Sequence, residues 1–213
     1  MILYYSSGAC SIVPHIALEE ADSDFEARRV PIVDGANQTP EYLAINPNGR
    51  LPALDTGTTV VTENIAVLTY IALTSRAAGS VPLDDREASA RCMQLLSWFA
   101  SSVHIAFAQV WRPERFTDDS SVHSVIQDGG KELLEGYFKE IEGLVGDGWV
   151  AGGSFTAADS YLLCFFRWGR RIGMEMQAFP KWADLSERVL GRPAVQRVIV
   201  REGLDIEQFR LSD

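Results

Sequence analysis

The sequence predicts two domains, an α/β domain over residues 1–78 and an all-helical bundle domain over residues 86–213, joined by a linker over 79–85. Before residue 78, short β-branched and aromatic runs alternate with stretches of helical spacing. Beyond residue 86 the apolar residues recur at helical spacing almost throughout. Glycine, serine and proline fill the stretch between, and Asp84 or Asp85 can cap the following helix. A chain of 213 residues is long enough to build a core in each domain.

The composition of the chain indicates its class of protein and argues against some classes of partner. With 46% hydrophobic and 23% charged residues the chain reads as an ordinary globular protein. Its net charge of −10 argues against nucleic acid or an anionic membrane as the main partner. No apolar run approaches a membrane span and no secretory leader opens the chain, so we expect a cytoplasmic protein. Three widely spaced cysteines without a Cys-x-x-Cys pair predict neither a disulfide framework nor a metal site.

The chain opens with a strand, a helix and a second strand. Residues 1–5 form a short β-branched and aromatic run that predicts a strand. Ile12 and Ile16 have helical spacing, and Pro14 is tolerated because it falls within the first turn. Residues 25–33 predict the second strand. Two strands around one helix make a βαβ unit, so we expect them to run parallel.

The segment 46–55 is the centre of the predicted α/β domain. A short helix, with Thr39 as N-cap and Pro40 at its first position, ends at Asn-Pro 46–47, and Asn-Gly 48–49 makes a tight turn. Pro52 lies at the mouth of the next strand, where it can donate nothing to a ladder. Either it is an ordinary edge-strand proline, or the Leu51–Pro52 bond is cis and leaves the Leu51 backbone free for an extended ligand.

A hairpin and a helix complete this domain. Residues 59–62 pair with the strand that follows Pro52, and a helix begins at Glu63 and Asn64. At that helix N-terminus, Glu63 and the Asn64 backbone N–H can bind the ammonium and the carboxylate of a zwitterion. Alternatively, Glu63 merely complements the helix dipole. The order β-α-β, loop, β-β-α, with a proline before the third strand, is a thioredoxin-like arrangement.

Cys10 lies at or just before the N-terminus of the first helix. Backbone N–H groups and the helix dipole favour a thiolate at such a place, which would lower its pKa and make it reactive. The alternative is a small buried residue, the usual environment of a free cysteine. Cys92 and Cys164 lie in apolar helical surroundings, and we interpret both as inert core residues.

The helical domain begins with a long helix through Phe107, which carries an apolar face. Another stripe of this helix is polar, at helical spacing: Gln94, Ser97, Ser101 and His104. Such a stripe favours a wet or occupied neighbour. Trp111 and Phe116 follow, and they either line an apolar pocket for a substrate or belong to the core.

Two later features organise the rest of the bundle. A second long helix, over roughly 120–145, contains Gly-Gly at 129–130, which predicts a bend or a close helix contact. Thr156 and Asp159 then have the spacing of a capping box ahead of an almost continuously apolar helix. We interpret this helix as the centre of the bundle and the capping box as structural.

Three segments in this order resemble the N-terminal domain of glutathione S-transferases. They are Ser-Ser-Gly-Ala-Cys-Ser at 6–11, Asn-Pro-Asn-Gly-Arg-Leu-Pro-Ala-Leu at 46–54 and Thr-Glu-Asn-Ile-Ala at 62–66. Gly-Ala-Cys-Ser followed by Pro-His at 14–15 is similar to the bacterial beta class in particular. The resemblance spans nearly the whole chain and implies the glutathione transferase fold, a homodimer, and glutathione as co-substrate without another cofactor.

The resemblance also implies residue roles. Leu51 would pair with the cysteinyl part of glutathione, with Pro52 cis, and Glu63 and Asn64 would hold its γ-glutamyl end. Cys10, Ser11 and His104 would act on the sulfur, with Tyr5, Ala9 and Ser101 among the residues that contact glutathione. Trp111 and Phe107 would line the pocket for the second substrate. The loop 34–38 contains no lysine, although some beta members carry one there to which the glycyl carboxylate binds.

The predicted activity is attack of the glutathione thiolate on a small apolar electrophile, as in detoxification. Val13 occupies the place of a second cysteine, which argues against dithiol redox chemistry of the thioredoxin kind. Cys10 can still form a mixed disulfide with glutathione, so a monothiol reductase is a second enzymatic hypothesis. A noncatalytic protein that binds apolar ligands or a partner protein on this fold is a third.

Overall fold

The computed structural model describes residues 1–75 and 80–211. The predicted domain boundary at residue 78 and the first linker residue, Gly79, lie outside the described residues. None of the described helices is long and apolar enough to cross a membrane.

A four-stranded mixed sheet forms the N-terminal domain, with the strand order β2-β1-β3-β4. Its strands are β1 (Ile2–Tyr5), β2 (Glu26–Arg29), β3 (Ala53–Asp55) and β4 (Val60–Thr62). The β1 and β2 strands are parallel, as predicted for the βαβ unit, whereas β3 pairs antiparallel with both β1 and β4. The helices of this domain are α1 (Ile12–Glu20), α2 (Pro40–Leu43) and α3 (Asn64–Ser75).

The β2 strand is shorter than the predicted 25–33. It ends at Arg29, and Ile32–Asp34 forms a 3-10 turn closed by Gly35, whose φ of +72° is left-handed. Pro31 has no N–H for a ladder, so the chain leaves the sheet at this point.

Six helices form the C-terminal domain. They are α4 (Arg86–Trp98), α5 (His104–Trp111), α6 (His123–Leu144), α7 (Ala157–Arg171), α8 (Pro180–Leu190) and α9 (Pro193–Arg201). The predicted helix through Phe107 is two helices, because a π-helical turn over Phe99–Val103 separates α4 from α5. The α6 helix continues through Gly129 and Gly130; a Cβ on Gly130 would lie 2.9 Å from the Ala106 carbonyl oxygen, so the predicted close helix contact is confirmed.

The central helix of the bundle is α7, and its N-terminus is built as predicted. The Asp159 carboxylate accepts hydrogen bonds from the Thr156 N–H at 2.9 Å and from the Thr156 hydroxyl at 3.0 Å. It also accepts from the Val150 N–H at 2.9 Å, which anchors the preceding loop. Asp159 is fully buried, and almost every residue of α7 is buried around it.

One hydrophobic core runs through both domains. It joins β1, α1 and α3 to the interior of the helical bundle without a break. The α1 helix is also tied to the α9 region by ion pairs, Arg192 to Glu20 at 2.7 Å and Arg197 to Glu19 at 2.8 Å. The two domains therefore hold each other in one fixed arrangement, which defines the cleft between them.

Candidate functional site

A cleft of about 710 Å³ lies between the two domains. The α/β domain contributes the ends of its strands and the loops around them, and the helical domain contributes α5 and the ends of α7. Six residues predicted for the site line the cleft on the side of the α/β domain: Ala9, Cys10, Leu51, Pro52, Glu63 and Asn64. They come from three distant segments, which the fold brings to one place.

Leu51 is held at the cleft by the turn that precedes it. The Leu51–Pro52 peptide bond is cis, which resolves the alternative left open by the sequence. The Arg50 carbonyl accepts hydrogen bonds from the Tyr42 hydroxyl and from the Asn46 side chain, both at 2.7 Å. Within the described parts of the chain the Leu51 N–H has no hydrogen-bond partner. That backbone edge is thus available to an extended ligand.

Glu63 and Asn64 lie where β4 passes into α3. Glu63 has a φ of +68°, and its carboxylate is exposed at the cleft. Left-handed backbone at a non-glycine residue costs about 1 to 3 kcal/mol and is concentrated at ligand clamps. The Asn64 amide donates to the Cys10 carbonyl at 3.0 Å and to the Tyr161 hydroxyl at 2.7 Å. Tyr161 is a cleft residue that sequence reasoning missed, because nothing in an apolar helix marks one tyrosine as a partner of α3.

The loop before Cys10 is held by the helical domain at Gly8. The Gly8 N–H donates to Glu202 Oε2 at 2.8 Å. The Gly8 carbonyl accepts from Arg167 Nη1 at 3.1 Å and from Trp168 Nε1 at 2.8 Å. Glu202 Oε1 in turn lies 2.8 Å from Nδ1 of the buried His15. We call Arg167, Trp168 and Glu202, together with the His15 that contacts Glu202, the Gly8 clamp. The Gly8 clamp fixes the backbone that carries Cys10.

Cys10 lies at the floor of the cleft, two residues before α1 begins. Its Sγ is 3.6 Å from the Leu51 carbonyl oxygen. Burial raises the pKa of the Cys10 thiol to about 12, with a contribution from the Glu63 carboxylate, which favours the alternative of a buried residue over that of a reactive thiolate. Backbone N–H groups do oppose this shift, but desolvation of the charged form outweighs them. Cys10 is therefore a neutral thiol at physiological pH.

His104 reaches the cleft because of the π-helical turn. Gln94, Ser97 and Ser101 are exposed and do not line the cleft, whereas His104, the first residue of α5, does. One extra residue in the turn shifts the phase of the helix, so the predicted polar stripe is split. Burial lowers the pKa of His104 to about 4, and the positive charges of Arg115 and Arg50 contribute. The imidazole is consequently neutral at physiological pH.

Three predicted site residues lie elsewhere. Ser11 is fully buried, and its hydroxyl accepts from the Ser6 N–H at 3.1 Å and donates to the Ser6 carbonyl at 3.2 Å. Tyr5 is buried in the core, where its ring packs against His15 at a centroid distance of 5.1 Å. Ser101 is exposed outside the cleft. None of the three lines the cleft in this structure: Ser11 is engaged by local hydrogen bonds, Tyr5 is packed in the core, and the π-helical turn places Ser101 outside.

The wall of the cleft on the side of the helical domain is aromatic and basic. Phe107 and Trp111 stack at 5.3 Å, and Trp168 meets Trp111 edge to face at 5.0 Å. Phe116, the other aromatic candidate, does not line the cleft. Sequence reasoning also missed the cleft's arginines: Arg29, Arg50, Arg112, Arg115 and Arg171. Only Arg112 and Arg115 had a local signal in the sequence, because they flank Pro113, where the helix breaks.

Known proteins can now be compared with this fold and cleft. The family model described as "Glutathione S-transferase, N-terminal domain" matches residues 1–73, and "Glutathione S-transferase, C-terminal domain" matches residues 126–193. Glutathione S-transferase GstA of Escherichia coli O157:H7 is 32% identical over 96% of this chain and 100% of its own.

Solved structures agree. A glutathione transferase homolog from Sulfitobacter, with bound glutathione, has a TM-score of 0.87 and 31% identity over 94% of this chain and 97% of its own. The bacterial beta class glutathione S-transferase of Sphingomonas chungbukensis has a TM-score of 0.82 and 30% identity over 96% and 100%. The chain described above therefore belongs to the glutathione S-transferase family and is an enzyme of that family.

Proposed function

We propose that this glutathione transferase joins the thiol of glutathione to a small electrophile in the cleft, with Cys10 and His104 beside the reacting sulfur. One observation carries the proposal: three separate segments place the Cys10 thiol, the free Leu51 backbone and the Glu63 carboxylate in the same cleft. These groups match, in order, the sulfur, the peptide backbone and the ammonium of one glutathione molecule.

Glutathione would bind in an extended conformation along the α/β domain. Its cysteinyl backbone pairs with the Leu51 N–H and C=O, as a strand adds to a sheet edge. The Glu63 carboxylate binds the γ-glutamyl ammonium, and the first backbone N–H groups of α3, at Asn64, bind the neighbouring carboxylate. The Asn64 side chain cannot reach out to the ligand, because both hydrogens of its amide are engaged by Cys10 and Tyr161; it positions the site instead.

The sulfur would be activated by electrostatics and by two neutral groups. Cys10, with its raised pKa, keeps its proton and can donate a hydrogen bond to a thiolate. His104 is neutral and can donate a hydrogen bond from its ring N–H to the thiolate, whose proton leaves to water. Arg50 and Arg115 disfavour an imidazolium in the cleft, and the same positive potential stabilises the glutathione thiolate. The thiolate then attacks the electrophilic carbon that the aromatic wall holds.

The neutral state of Cys10 favours conjugation over the monothiol reductase hypothesis. Disulfide exchange requires the Cys10 thiolate, and a thiol with a pKa of about 12 is almost wholly protonated near neutral pH. Conjugation requires only the glutathione thiolate. The apolar character of the electrophile, the homodimer and the cytoplasmic location stay predictions, and the aromatic wall supports the first of them.

Glutathione is expected to stabilise the protein against heat. At about 100 times its dissociation constant, a ligand adds roughly 2.7 kcal/mol, which should raise the Tm by about 5 to 10 °C for a chain of this size. Thermal melts with millimolar glutathione and with S-methylglutathione measure this, because the second ligand binds without a free thiol. The Glu63→Gln variant should lose most of the shift, while Glu135→Gln, outside the cleft on α6, should keep it. An unchanged Tm with both ligands would refute the proposed glutathione site.

The lowered pKa of His104 predicts how the stability of the fold depends on pH. Above pH 6.5 the imidazole is neutral in both folded and unfolded chains, but between pH 6.5 and 4 only the unfolded chain binds its proton. His104 should therefore destabilise the fold progressively as the pH falls through this window, by about 3 kcal/mol in all. Urea unfolding from pH 7 to 4 should show a flatter pH dependence for His104→Gln than for the parent.

The matched control for that experiment is His123→Gln. His123 lies outside the cleft, with Nε2 3.0 Å from the Thr117 carbonyl oxygen. Its removal should leave the acid-side slope of the parent in place. If His104→Gln and the parent lose stability in parallel from pH 6.5 to 4, then His104 is not the group that we describe.

A further inference from the structure

We propose that the second substrate of this enzyme is an electrophile that carries a carboxylate on an aromatic or other flat apolar body. This inference rests on the proposed function and specifies its substrate class. It starts from the charge of the cleft, which is opposite to that of the chain. The chain has a net charge of −10, yet among the described residues the cleft is lined by five arginines and only one acidic side chain, Glu63.

The cleft arginines are not engaged by protein carboxylates. The arginine ion pairs found among the described residues involve Arg28, Arg192, Arg197, Arg201 and Arg210, none of which lines the cleft. The positive charge in the cleft is instead left for a ligand.

The five arginines line the cleft from the two different domains. Arg29 and Arg50 belong to the α/β domain, and Arg50 directly precedes Leu51, so it is placed to serve the glycyl carboxylate of glutathione. Arg112 and Arg115 follow α5, and Arg171 ends α7. These three lie on the helical domain, where the second substrate binds beside the aromatic wall.

The arginines at the end of α5 are crowded. Burial and the nearby positive charges of Arg50 and Arg112 lower the pKa of Arg115, so this guanidinium lies in a region of positive potential. Like charges brought together raise the free energy of the empty cleft, and a bound carboxylate relieves that repulsion. Glutathione alone does not use them all, because Glu63 and the N-terminus of α3 serve its γ-glutamyl end.

The aromatic residues supply the other half of the site. The Phe107, Trp111 and Trp168 rings lie within 5.0 to 5.3 Å of one another, centroid to centroid. The Arg171 guanidinium lies 5.9 Å from the centroid of the Trp111 ring. A flat ring can stack on this wall while its carboxylate accepts hydrogen bonds from the adjacent guanidinium groups.

A pair of aryl chlorides tests the preference directly. The anionic probe is 4-chloro-3-nitrobenzoate, and the neutral match is 4-chloro-3-nitrobenzamide. In both, the glutathione sulfur forms a bond to the ring carbon that bears chlorine, and chloride departs with the electron pair of the C–Cl bond. The thiol proton is released to water. Division of each kcat/KM by the uncatalysed rate constant removes the intrinsic difference in reactivity.

We expect the parent to favour the benzoate over the benzamide by about tenfold or more after this correction, and the preference should decline with added salt because exposed charges are screened. The double variant R112Q/R171Q should lower kcat/KM for the benzoate by about tenfold and leave the benzamide within about twofold, because neither residue acts on the glutathione sulfur. Arg86→Gln is the matched control, since it removes one exposed arginine outside the cleft. It should leave both rates unchanged.

Binding of the two products provides a readout that does not require turnover. S-(4-carboxy-2-nitrophenyl)glutathione should bind the parent about tenfold more tightly than its carboxamide, and the two should bind R112Q/R171Q about equally. Equal affinity in the parent would overturn the inference. So would a double variant that weakens both products and S-methylglutathione alike, because these arginines would then serve glutathione.

The same measurements separate this inference from the proposed function. If S-methylglutathione binds and both aryl chlorides react without a preference, the function stands and the inference fails. If neither glutathione nor S-methylglutathione binds, the proposed function fails and the inference falls with it.

Discussion

The Gly8→Ala variant is expected to lose about 2 to 4 kcal/mol of folding free energy and at least tenfold in glutathione affinity. Gly8 has a φ of +66°, and a Cβ there would lie 2.4 Å from Arg167 Nη1 and 2.7 Å from Cζ. Arg167 cannot move away freely, because it is buried and also donates to Gln208 at 2.9 Å. The loop must shift instead, and it carries Cys10 with it. Thermal unfolding and calorimetric titration with glutathione measure the two effects.

Gly57→Ala separates the clamp from ordinary backbone strain. Gly57 has a φ of +87° at the tip of the β3–β4 hairpin, with no atom within 4 Å of a Cβ. Its substitution should therefore cost only about 1 to 2 kcal/mol, the price of a left-handed alanine, and leave glutathione affinity unchanged. If both variants lose the same stability and bind glutathione equally, the Gly8 clamp does not position the site.

The Asp159→Ala variant is expected to lose about 3 to 5 kcal/mol, which corresponds to a Tm lower by about 6 to 20 °C. Asp159 accepts three hydrogen bonds in a fully buried position. Alanine leaves the buried Thr156 N–H and the partly buried Val150 N–H without a partner, and a fully buried group of this kind costs about 1 to 3 kcal/mol. Urea denaturation monitored by tryptophan fluorescence gives the free energy of unfolding directly.

Asp184→Ala is the control for this prediction. Asp184 is exposed on α8, so its loss should change stability by no more than about 0.5 kcal/mol. A loss below about 1 kcal/mol in Asp159→Ala would mean that water or a small rearrangement satisfies the three donors. The capping box would then be a minor contributor to the bundle.

Much of the architecture could be predicted from the sequence, because it depends on local chemistry. The parallel βαβ unit, the N-cap at Thr39 and the capping box at Asp159 depend on contacts within a few residues or on period-based patterns. The cis Leu51–Pro52 bond was one of the two alternatives that the sequence left open, because Pro52 cannot donate to a ladder. Features of this kind are readable because their partners are close in sequence.

The parts that escaped sequence reasoning depend on long-range geometry. The one-residue π insertion separates His104 from Ser101, and no spacing rule reveals where a helix will be underwound. Cys10 has a helix N-terminus next to it, but burial determines its pKa, and burial is a property of the folded chain. The five cleft arginines are scattered between positions 29 and 171, so only the assembled fold shows that they share one space.

The Gly8 clamp also determines when, during synthesis on the ribosome, the loop that carries Cys10 can be fixed. Gly8 and its acceptor Glu202 are 194 residues apart in the chain, and Gln208, which holds Arg167, follows later still. The loop that carries Cys10 therefore cannot be fixed until both of these residues have been synthesised. A nascent chain that ends before them has no means of holding the cysteine in this position.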